Sequence, residues 1–118
     1  MPVEQLPLFV FGTLRRGQCN HHYLAGSYAR MLPARLPGFG KIDPLMIVRR
    51  PEDVVVGELY EVRPEAWALT IAGCDDLEGI PPGKSAGTSY RRVRVRVTTS
   101  EGEHEAWAYA HASTSESA

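Results

Sequence analysis

The chain has 118 residues, of which 43% are hydrophobic, and a formal net charge of −1. This length and composition predict one compact domain with a single core. The small net charge argues against a typical nucleic-acid-binding protein, which carries a large basic excess. No stretch approaches the roughly 18 apolar residues of a membrane span, and the N-terminus lacks the basic and apolar segments of a signal peptide. We therefore expect a cytoplasmic protein that binds neither nucleic acid nor membranes.

The first predicted element is a strand at residues 8–11, which ends at Gly12 and leads into a basic turn. Backbone N–H groups at the end of a strand have no ladder partner. Where glycine permits unusual backbone angles, such groups form a concavity suited to an anion. The same residues also fit a plain turn. A short helix is predicted next at residues 20–25, with Asn20 as its N-cap.

Apolar runs rich in β-branched or aromatic residues predict further strands. They lie at residues 45–48, 54–62, 90–98 and 104–111. Residues 29–50 contain three prolines and two glycines, which predict one interrupted strand and a bent loop. The main helix is predicted at residues 64–77, because it begins with proline and glutamate. Strands do not alternate with helices, so the pattern predicts an α+β domain, a small twisted sheet or open barrel closed by the helix.

A single domain is expected to span residues 1–112. No internal repeat or linker divides this part of the chain. Residues 113–118 are small and polar, with little to bury, and we expect them to form a disordered tail.

The end of the main helix carries a carboxylate in line with the apolar face. Trp67, Ile71, Cys74 and Glu78 fall on one stripe if the helix extends to residue 78. Burial beside this stripe, together with the negative end of the helix dipole, would raise the pKa of Glu78. A carboxylate whose pKa lies near neutrality is a competent general acid–base group.

The alternative is that this segment has no functional role and is the solvated end of a helix that Gly79 terminates. Asp75 and Asp76 point away from the apolar stripe and are expected at the surface. Likewise, the alternation of Arg92, Arg94 and Arg96 with valines predicts a half-buried strand with a solvated cationic face.

The cysteines and histidines predict no metal site. Cys19 and Cys74 have neither metal-ligand nor redox spacing and are expected to be free thiols. His21 and His22 are adjacent, so in a helix they diverge by about 100° and cannot readily hold one ion. Cys19 beside His21 leaves open a cysteine-dependent hydrolase or acyltransferase.

Four motifs in consistent order resemble the gamma-glutamylcyclotransferase-like proteins, in particular the gamma-glutamylamine cyclotransferase and AIG2-like branch. Ordered motifs are more specific than any one of them alone. The resemblance covers approximately residues 7–111. The motifs are the turn at residues 9–22, the strand Gly57-Glu58-Leu59-Tyr60, the helix end Asp76-Leu77-Glu78-Gly79 and the strand Tyr90-Arg91-Arg92-Val93.

The resemblance implies a fold and an activity. The expected fold is an α+β, small mixed β-barrel of about five to seven strands with one main helix and one or two short flanking helices. The expected reaction is the cyclisation of a γ-glutamyl amide to 5-oxoproline with release of a free amine. No cofactor is implied, because the nucleophile is the substrate's own α-amine. The leaving amine stays open among a lysine ε-amine, a polyamine, an amino acid and a secondary metabolite.

The resemblance also assigns roles to residues of this chain. Glu78 matches the catalytic glutamate. Four residues match the loop that holds the glutamyl group, and two tyrosines match aromatic positions near the pocket: Phe11, Gly12, Thr13, Leu14, Tyr90 and Tyr109.

The chain departs from the family pattern in two places. Phe11 stands where a tyrosine is usual, which keeps open a non-catalytic binding module on the same fold. The link at residues 80–89 is longer than usual and lies directly after Glu78. It is interpreted either as a lid over the leaving-amine pocket or as an inert surface loop.

Overall fold

The computed structural model describes residues 4–114, and the prediction for residues 115–118 lies outside this range. Five strands, one α-helix and a single 3₁₀ turn make up the regular structure of the described chain. In chain order they are β1 (Leu8–Val10), the 3₁₀ turn (His21–Tyr23), β2 (Tyr28–Asp43), β3 (Met46–Val62), α1 (Pro64–Leu77), β4 (Tyr90–Thr99) and β5 (Gly102–His111).

The strands close into a barrel in the order β1-β3-β2-β4-β5. Four of the neighbouring pairs are antiparallel, and β1 lies parallel to β5 where Leu8 pairs with Trp107. The predicted α+β fold, a mixed barrel with one main helix, is confirmed. No helix among residues 4–114 is long and apolar enough to cross a membrane.

The hairpin of β2 and β3 corrects the prediction of an interrupted strand at residues 29–50. Both strands are continuous, and the strands predicted at residues 45–48 and 54–62 form one strand, β3. A register shift between Pro37 and Phe39, with Gly38 at a φ of 84°, absorbs the irregular backbone as a bulge. The other edge of β2 pairs with β4 at Arg35. Proline has no backbone N–H to donate, and the prolines of β2 are tolerated because this edge carries no long run of ladder hydrogen bonds.

The short helix predicted at residues 20–25 is a single 3₁₀ turn, and Asn20 does not cap it through its side chain. The Asn20 side chain instead donates a hydrogen bond to the hydroxyl of Thr13 at 2.9 Å. This contact directs the Asn20 side chain toward the preceding loop, and no backbone N–H of the turn donates to it as a cap would require.

The core has two layers. Inward-facing side chains of the strands fill the barrel, among them Phe9, Val93, Val95 and Val97. A second cluster lies between the barrel and α1, where Leu8 and Val10 of β1 pack with the buried face of the helix. Because strand residues alternate between faces, β1 contributes to both layers. It is therefore fixed on both sides, and so is the loop that follows it.

The first residues of the expected tail contact the fold, and the predicted domain boundary at residue 112 stays a prediction. Thr114 is buried, and its N–H donates to the carbonyl of His111 at 2.8 Å. Thr114 is thus packed against the preceding strand in the described part of the chain.

Candidate active site

Glu78 is the C-cap residue of α1, directly after the last helical residue. Gly79 has a φ of 74°, a left-handed conformation that glycine adopts without steric cost. The Gly79 N–H donates to the carbonyl of Asp76 at 3.0 Å, and the Ile80 N–H donates to the carbonyl of Asp75 at 2.8 Å. This pair of bonds is the Schellman motif, which ends the helix sharply and fixes the backbone of Glu78.

The carboxyl group of Glu78 is half-buried, and burial raises its pKa to about 7. The predicted effect of desolvation is confirmed, while the predicted contribution of the helix dipole stays a prediction. The carboxylate has no hydrogen-bond partner among the side chains and backbone of residues 4–114. It is therefore available to a ligand.

The loop after β1 presents a run of unpaired N–H groups. Within residues 4–114, the backbone N–H groups of Gly12, Thr13 and Leu14 donate to no acceptor. The carbonyls of the same three residues are all occupied. Gly12 accepts from the N–H of Arg15 at 3.1 Å, and Thr13 accepts from that of Asn20 at 2.9 Å. The ring Nδ1 of His21 lies 3.0 Å from the Leu14 carbonyl.

Because every carbonyl of the loop is held by the following turn, the free hydrogen-bonding groups of the loop are donors. The Thr13 hydroxyl adds a fourth. It accepts a hydrogen bond from Asn20, which leaves its own proton free to donate. A run of adjacent free donors of this kind suits an anion.

Glu58 of β3 anchors the far side of the loop. Its carboxylate accepts hydrogen bonds from the Arg16 N–H and from the Tyr60 hydroxyl, each at 2.8 Å. Burial and the neighbouring Glu58 raise the pKa of Tyr60, so the hydroxyl stays protonated as a donor. Next to Glu58, a Cβ atom on Gly57 would lie 2.3 Å from the carbonyl oxygen of Val10. The absence of a side chain at Gly57 lets β1 lie this close.

The loop and Glu78 face the same cavity, which has a volume of about 250 Å³. All seven site residues expected from the resemblance line it. Sequence reasoning missed Leu45, at the tip of the β2–β3 hairpin, and Asn20, which it expected only as a helix cap. Among the lining residues that the structure describes, Glu78 alone is charged. They are Phe9, Val10, Phe11, Gly12, Thr13, Leu14, Asn20, Leu45, Leu77, Glu78, Tyr90 and Tyr109.

The two tyrosines occupy different parts of the wall. Tyr90 opens β4 and donates its hydroxyl to the carbonyl of Leu45. Burial, followed by the nearby charge of Glu78, raises the pKa of Tyr90. Tyr109 lies on β5, almost fully buried, and its hydroxyl donates to the carboxylate of Asp75 at 2.6 Å.

Asp75 and Arg92 correct two predictions. Asp75 is not a surface group, because its side chain is 15% exposed and forms an ion pair with Arg92. Arg92, only 6% exposed, is not part of a solvated cationic face. Its guanidinium lies 5.4 Å from the centre of the Trp107 ring, an arrangement that favours a cation over an aromatic face. Asp76 is exposed, as predicted.

The structure does not favour the hypothesis of a cysteine-dependent hydrolase or acyltransferase at this cavity. Both cysteines are free thiols, as predicted. Burial, followed by the charges of Asp75 and Glu78, raises the pKa of Cys74 to about 12, so it is not a thiolate at neutral pH. Cys19 is exposed and does not line the cavity. No group of three or more His, Cys, Asp or Glu within residues 4–114 is arranged to hold a metal ion.

The segment at residues 80–89, interpreted as either a lid or a surface loop, lies beside β4 in the structure. None of its residues lines the cavity. Ile80 is buried in the core, Ala86 forms a bridge with Arg91, and the Ser85 carbonyl accepts from the Arg92 N–H at 2.9 Å. The segment packs along β4, so the surface-loop interpretation fits the structure. The hairpin tip at Leu45 borders the cavity instead.

A comparison with family models matches residues 8–118 to the family described as gamma-glutamyl cyclotransferase, AIG2-like. The chain belongs to this family. The predicted resemblance is confirmed. A comparison with curated proteins found no match.

Solved structures share the AIG2-like fold. YkqA from Bacillus subtilis superposes with a TM-score of 0.70 at 28% identity, over 96% of this chain and 38% of YkqA. The chain therefore spans little more than a third of YkqA. An uncharacterised protein from Pyrococcus horikoshii superposes with a TM-score of 0.62 at 26% identity. The match covers 92% of this chain and 80% of the Pyrococcus protein. A protein from Arabidopsis thaliana, at 20% identity over 97% of this chain and 74% of its own, has a TM-score of 0.65 and shows the fold alone.

Proposed function

We propose that this chain converts a γ-glutamyl amide to 5-oxoproline and a free amine, with Glu78 as the general acid–base. One observation carries the proposal. A half-buried carboxylate faces the same cavity as a loop with three consecutive N–H groups, and residues 4–114 offer a hydrogen-bond partner to neither. Glu78 suits proton transfer, and the loop suits an anion.

The substrate offers complementary groups. Its α-carboxylate would bind the N–H groups of Gly12, Thr13 and Leu14, with the Thr13 hydroxyl as a further donor. This arrangement would bring the α-amine and the γ-carbonyl into the part of the cavity that Glu78 lines. Fixing the nucleophile and the carbonyl within one bound molecule supplies proximity, which removes much of the entropic barrier to reaction.

The reaction needs one proton carrier. In its ionised form Glu78 takes a proton from the α-ammonium, whose nitrogen then attacks the γ-carbonyl carbon. A new C–N bond forms, the carbonyl oxygen becomes transiently anionic, and backbone donors stabilise it. The old C–N bond then breaks as Glu78 returns the proton to the departing amine nitrogen. The ring nitrogen, which is acidic after the attack and still carries two protons, gives one of them through Glu78 to the released amine, which leaves as an ammonium. Every atom of the substrate ends in 5-oxoproline or the amine, so the step requires no co-reactant.

Phe11 is compatible with this role. Its ring belongs to the barrel core, and the Nζ atom of Lys41 lies 5.8 Å from the ring centre. The aromatic body therefore supports the loop by packing, while the loop backbone supplies the donors. The hydroxyl that a tyrosine would add is not part of the proposed chemistry.

A panel of γ-glutamyl amides, incubated with the protein, tests the proposal. We expect 5-oxoproline and free amine to appear in equal amounts, measured together by mass spectrometry. A non-catalytic binding module would behave differently. It would bind 5-oxoproline in calorimetry without releasing amine from any member of the panel, and that outcome would contradict the proposal.

A further inference from the structure

We propose that Leu45 determines specificity at this site, and that the leaving amine carries an uncharged, apolar substituent. The inference rests on the proposed function, because it concerns the part of the substrate that departs. It follows from the position of the β2–β3 hairpin tip and from the charges around the cavity.

The hairpin tip is held at the cavity by contacts on two sides. The Tyr90 hydroxyl donates to the Leu45 carbonyl and so ties the tip to β4. On the opposite side, a Cβ atom on Gly12 would lie 3.4 Å from Cδ2 of Leu45, so the leucine side chain packs on the loop that carries the free N–H groups. Leu45 thus spans from β4 to this loop.

The Leu45 side chain is an unburied apolar surface in a concave site. The residue is 49% exposed although it lines the cavity. Leu77 and the ring of Tyr90 line the same cavity and add apolar surface to it. An apolar group of a ligand would remove this surface from water, which is favourable. The α-carboxylate is expected on the N–H groups, so the apolar contact is left to the amine substituent.

The surrounding charges do not suit a charged substituent. Within residues 4–114, no cationic side chain lines the cavity to receive a carboxylate, and the one lining carboxylate belongs to Glu78, which the reaction uses. Asp43 lies outside the lining, and its carboxylate accepts the Leu45 N–H at 2.8 Å. Lys41 also lies outside, above the Phe11 ring. A charged substituent against this apolar surface would lose hydration without gaining a partner from the described lining residues that the reaction leaves free.

Three substrates of similar length test the inference with the unmodified protein. They are the γ-glutamyl amides of n-pentylamine, putrescine and γ-aminobutyrate, whose chains end in a methyl, an ammonium and a carboxylate group. We expect kcat/KM for the pentylamide to exceed the other two by about tenfold or more, the order of discrimination that apolar pockets achieve. Values within about threefold of one another, or a preference for a charged end, would overturn the inference.

Variants at Leu45 test the residue itself. Leu45→Ala should lower kcat/KM for the pentylamide by about tenfold and affect the two charged substrates less. Leu45→Arg should shift preference toward the γ-aminobutyrate amide. The matched controls are Leu69→Ala and Leu69→Arg, because Leu69 is 84% exposed on α1 and does not line the cavity. Unchanged specificity in both Leu45 variants would overturn the role of Leu45.

The outcomes separate the inference from the proposed function. If all three amides give 5-oxoproline at similar rates and Glu78→Gln stops the reaction, the specificity inference fails and the proposed function stands. If none of the amides gives 5-oxoproline, both are contradicted.

Discussion

The hydroxyl of Tyr109 donates a hydrogen bond of 2.6 Å to the carboxylate of Asp75 and thereby joins β5 to the last turn of α1. The same carboxylate pairs with Arg92 of β4. The end of the helix is thus tied to two barrel strands, three residues before Glu78. We infer that this network holds the proposed acid–base group at the cavity.

Removing the charge of Asp75 should destabilise the fold strongly. Asp75→Asn leaves the buried guanidinium of Arg92 without a counter-charge, which costs about 3 kcal/mol or more. Tyr109→Phe removes one donor and should cost about 1–2 kcal/mol. Chemical denaturation measures both. Asp76→Asn is the matched control, since exposed positions change stability by about 0.5 kcal/mol or less. An equal effect of Asp75→Asn and Asp76→Asn would contradict the structural role of the network.

Two glycines near the end of α1 should respond to alanine with opposite signs. Gly79→Ala places a side chain at a φ of 74° and should destabilise the fold by about 1 kcal/mol. Gly73 lies within the helix, and a Cβ there would meet Tyr23 at an ordinary 3.6 Å. Gly73→Ala should therefore stabilise the fold by about 0.5–1 kcal/mol. Thermal and chemical unfolding measure the difference, and a shift of the same sign in both variants would contradict the assigned helix end.

Glu78 should lower stability at alkaline pH. Its pKa of about 7 in the folded state lies above the usual 4.5. Below its unfolded-state pKa, Glu78 is protonated in both states and does not reduce the free energy of unfolding. As the pH rises through the folded-state pKa, the buried carboxyl group must ionise and the free energy of unfolding falls. Glu78→Gln should therefore be more stable than the unmodified protein by about 1–2 kcal/mol near pH 8, after allowance for solvent screening. This difference in unfolding free energy between the variant and the unmodified protein should shrink as the pH falls toward about 4.5. A pH-independent difference in unfolding free energy would contradict the raised pKa.

The same carboxyl group should set the acidic limb of activity. Proton abstraction needs ionised Glu78, so kcat/KM should fall as the pH drops below about 7. The measurement is a pH profile of kcat/KM for 5-oxoproline formation. If the acidic limb instead had its midpoint near the usual pKa of a solvated glutamate, burial would not raise the pKa of Glu78, which would contradict this prediction.

Local signals predicted several elements well. The helix has the predicted bounds, because a proline in its first turn and a glycine after its end are signals within a few residues. The β4 and β5 strands lie within two residues of their predicted ranges. Alternation identified the valines of β4 as buried. These features depend on short stretches of sequence, so the sequence alone carries them.

Contacts between distant segments were the features that the sequence did not reveal. Proline and glycine composition predicted a break in residues 29–50, but pairing with β3 keeps β2 continuous through a bulge. Arg92 resembles its exposed neighbours in the β4 pattern, and only the approach of Asp75 explains its burial. Leu45 carries no local sign of a cavity residue. Its position depends on the length of the hairpin and on Tyr90.

The most direct test of the proposed chemistry is 5-oxoproline formation by Glu78→Gln, measured against the unmodified protein and Asp76→Asn at one pH above 7. Glutamine keeps the shape of the side chain and removes the proton carrier. We predict that Glu78→Gln loses activity by about 100-fold or more while Asp76→Asn keeps it. Turnover by Glu78→Gln equal to that of the unmodified protein would contradict the assignment of Glu78 as the acid–base group.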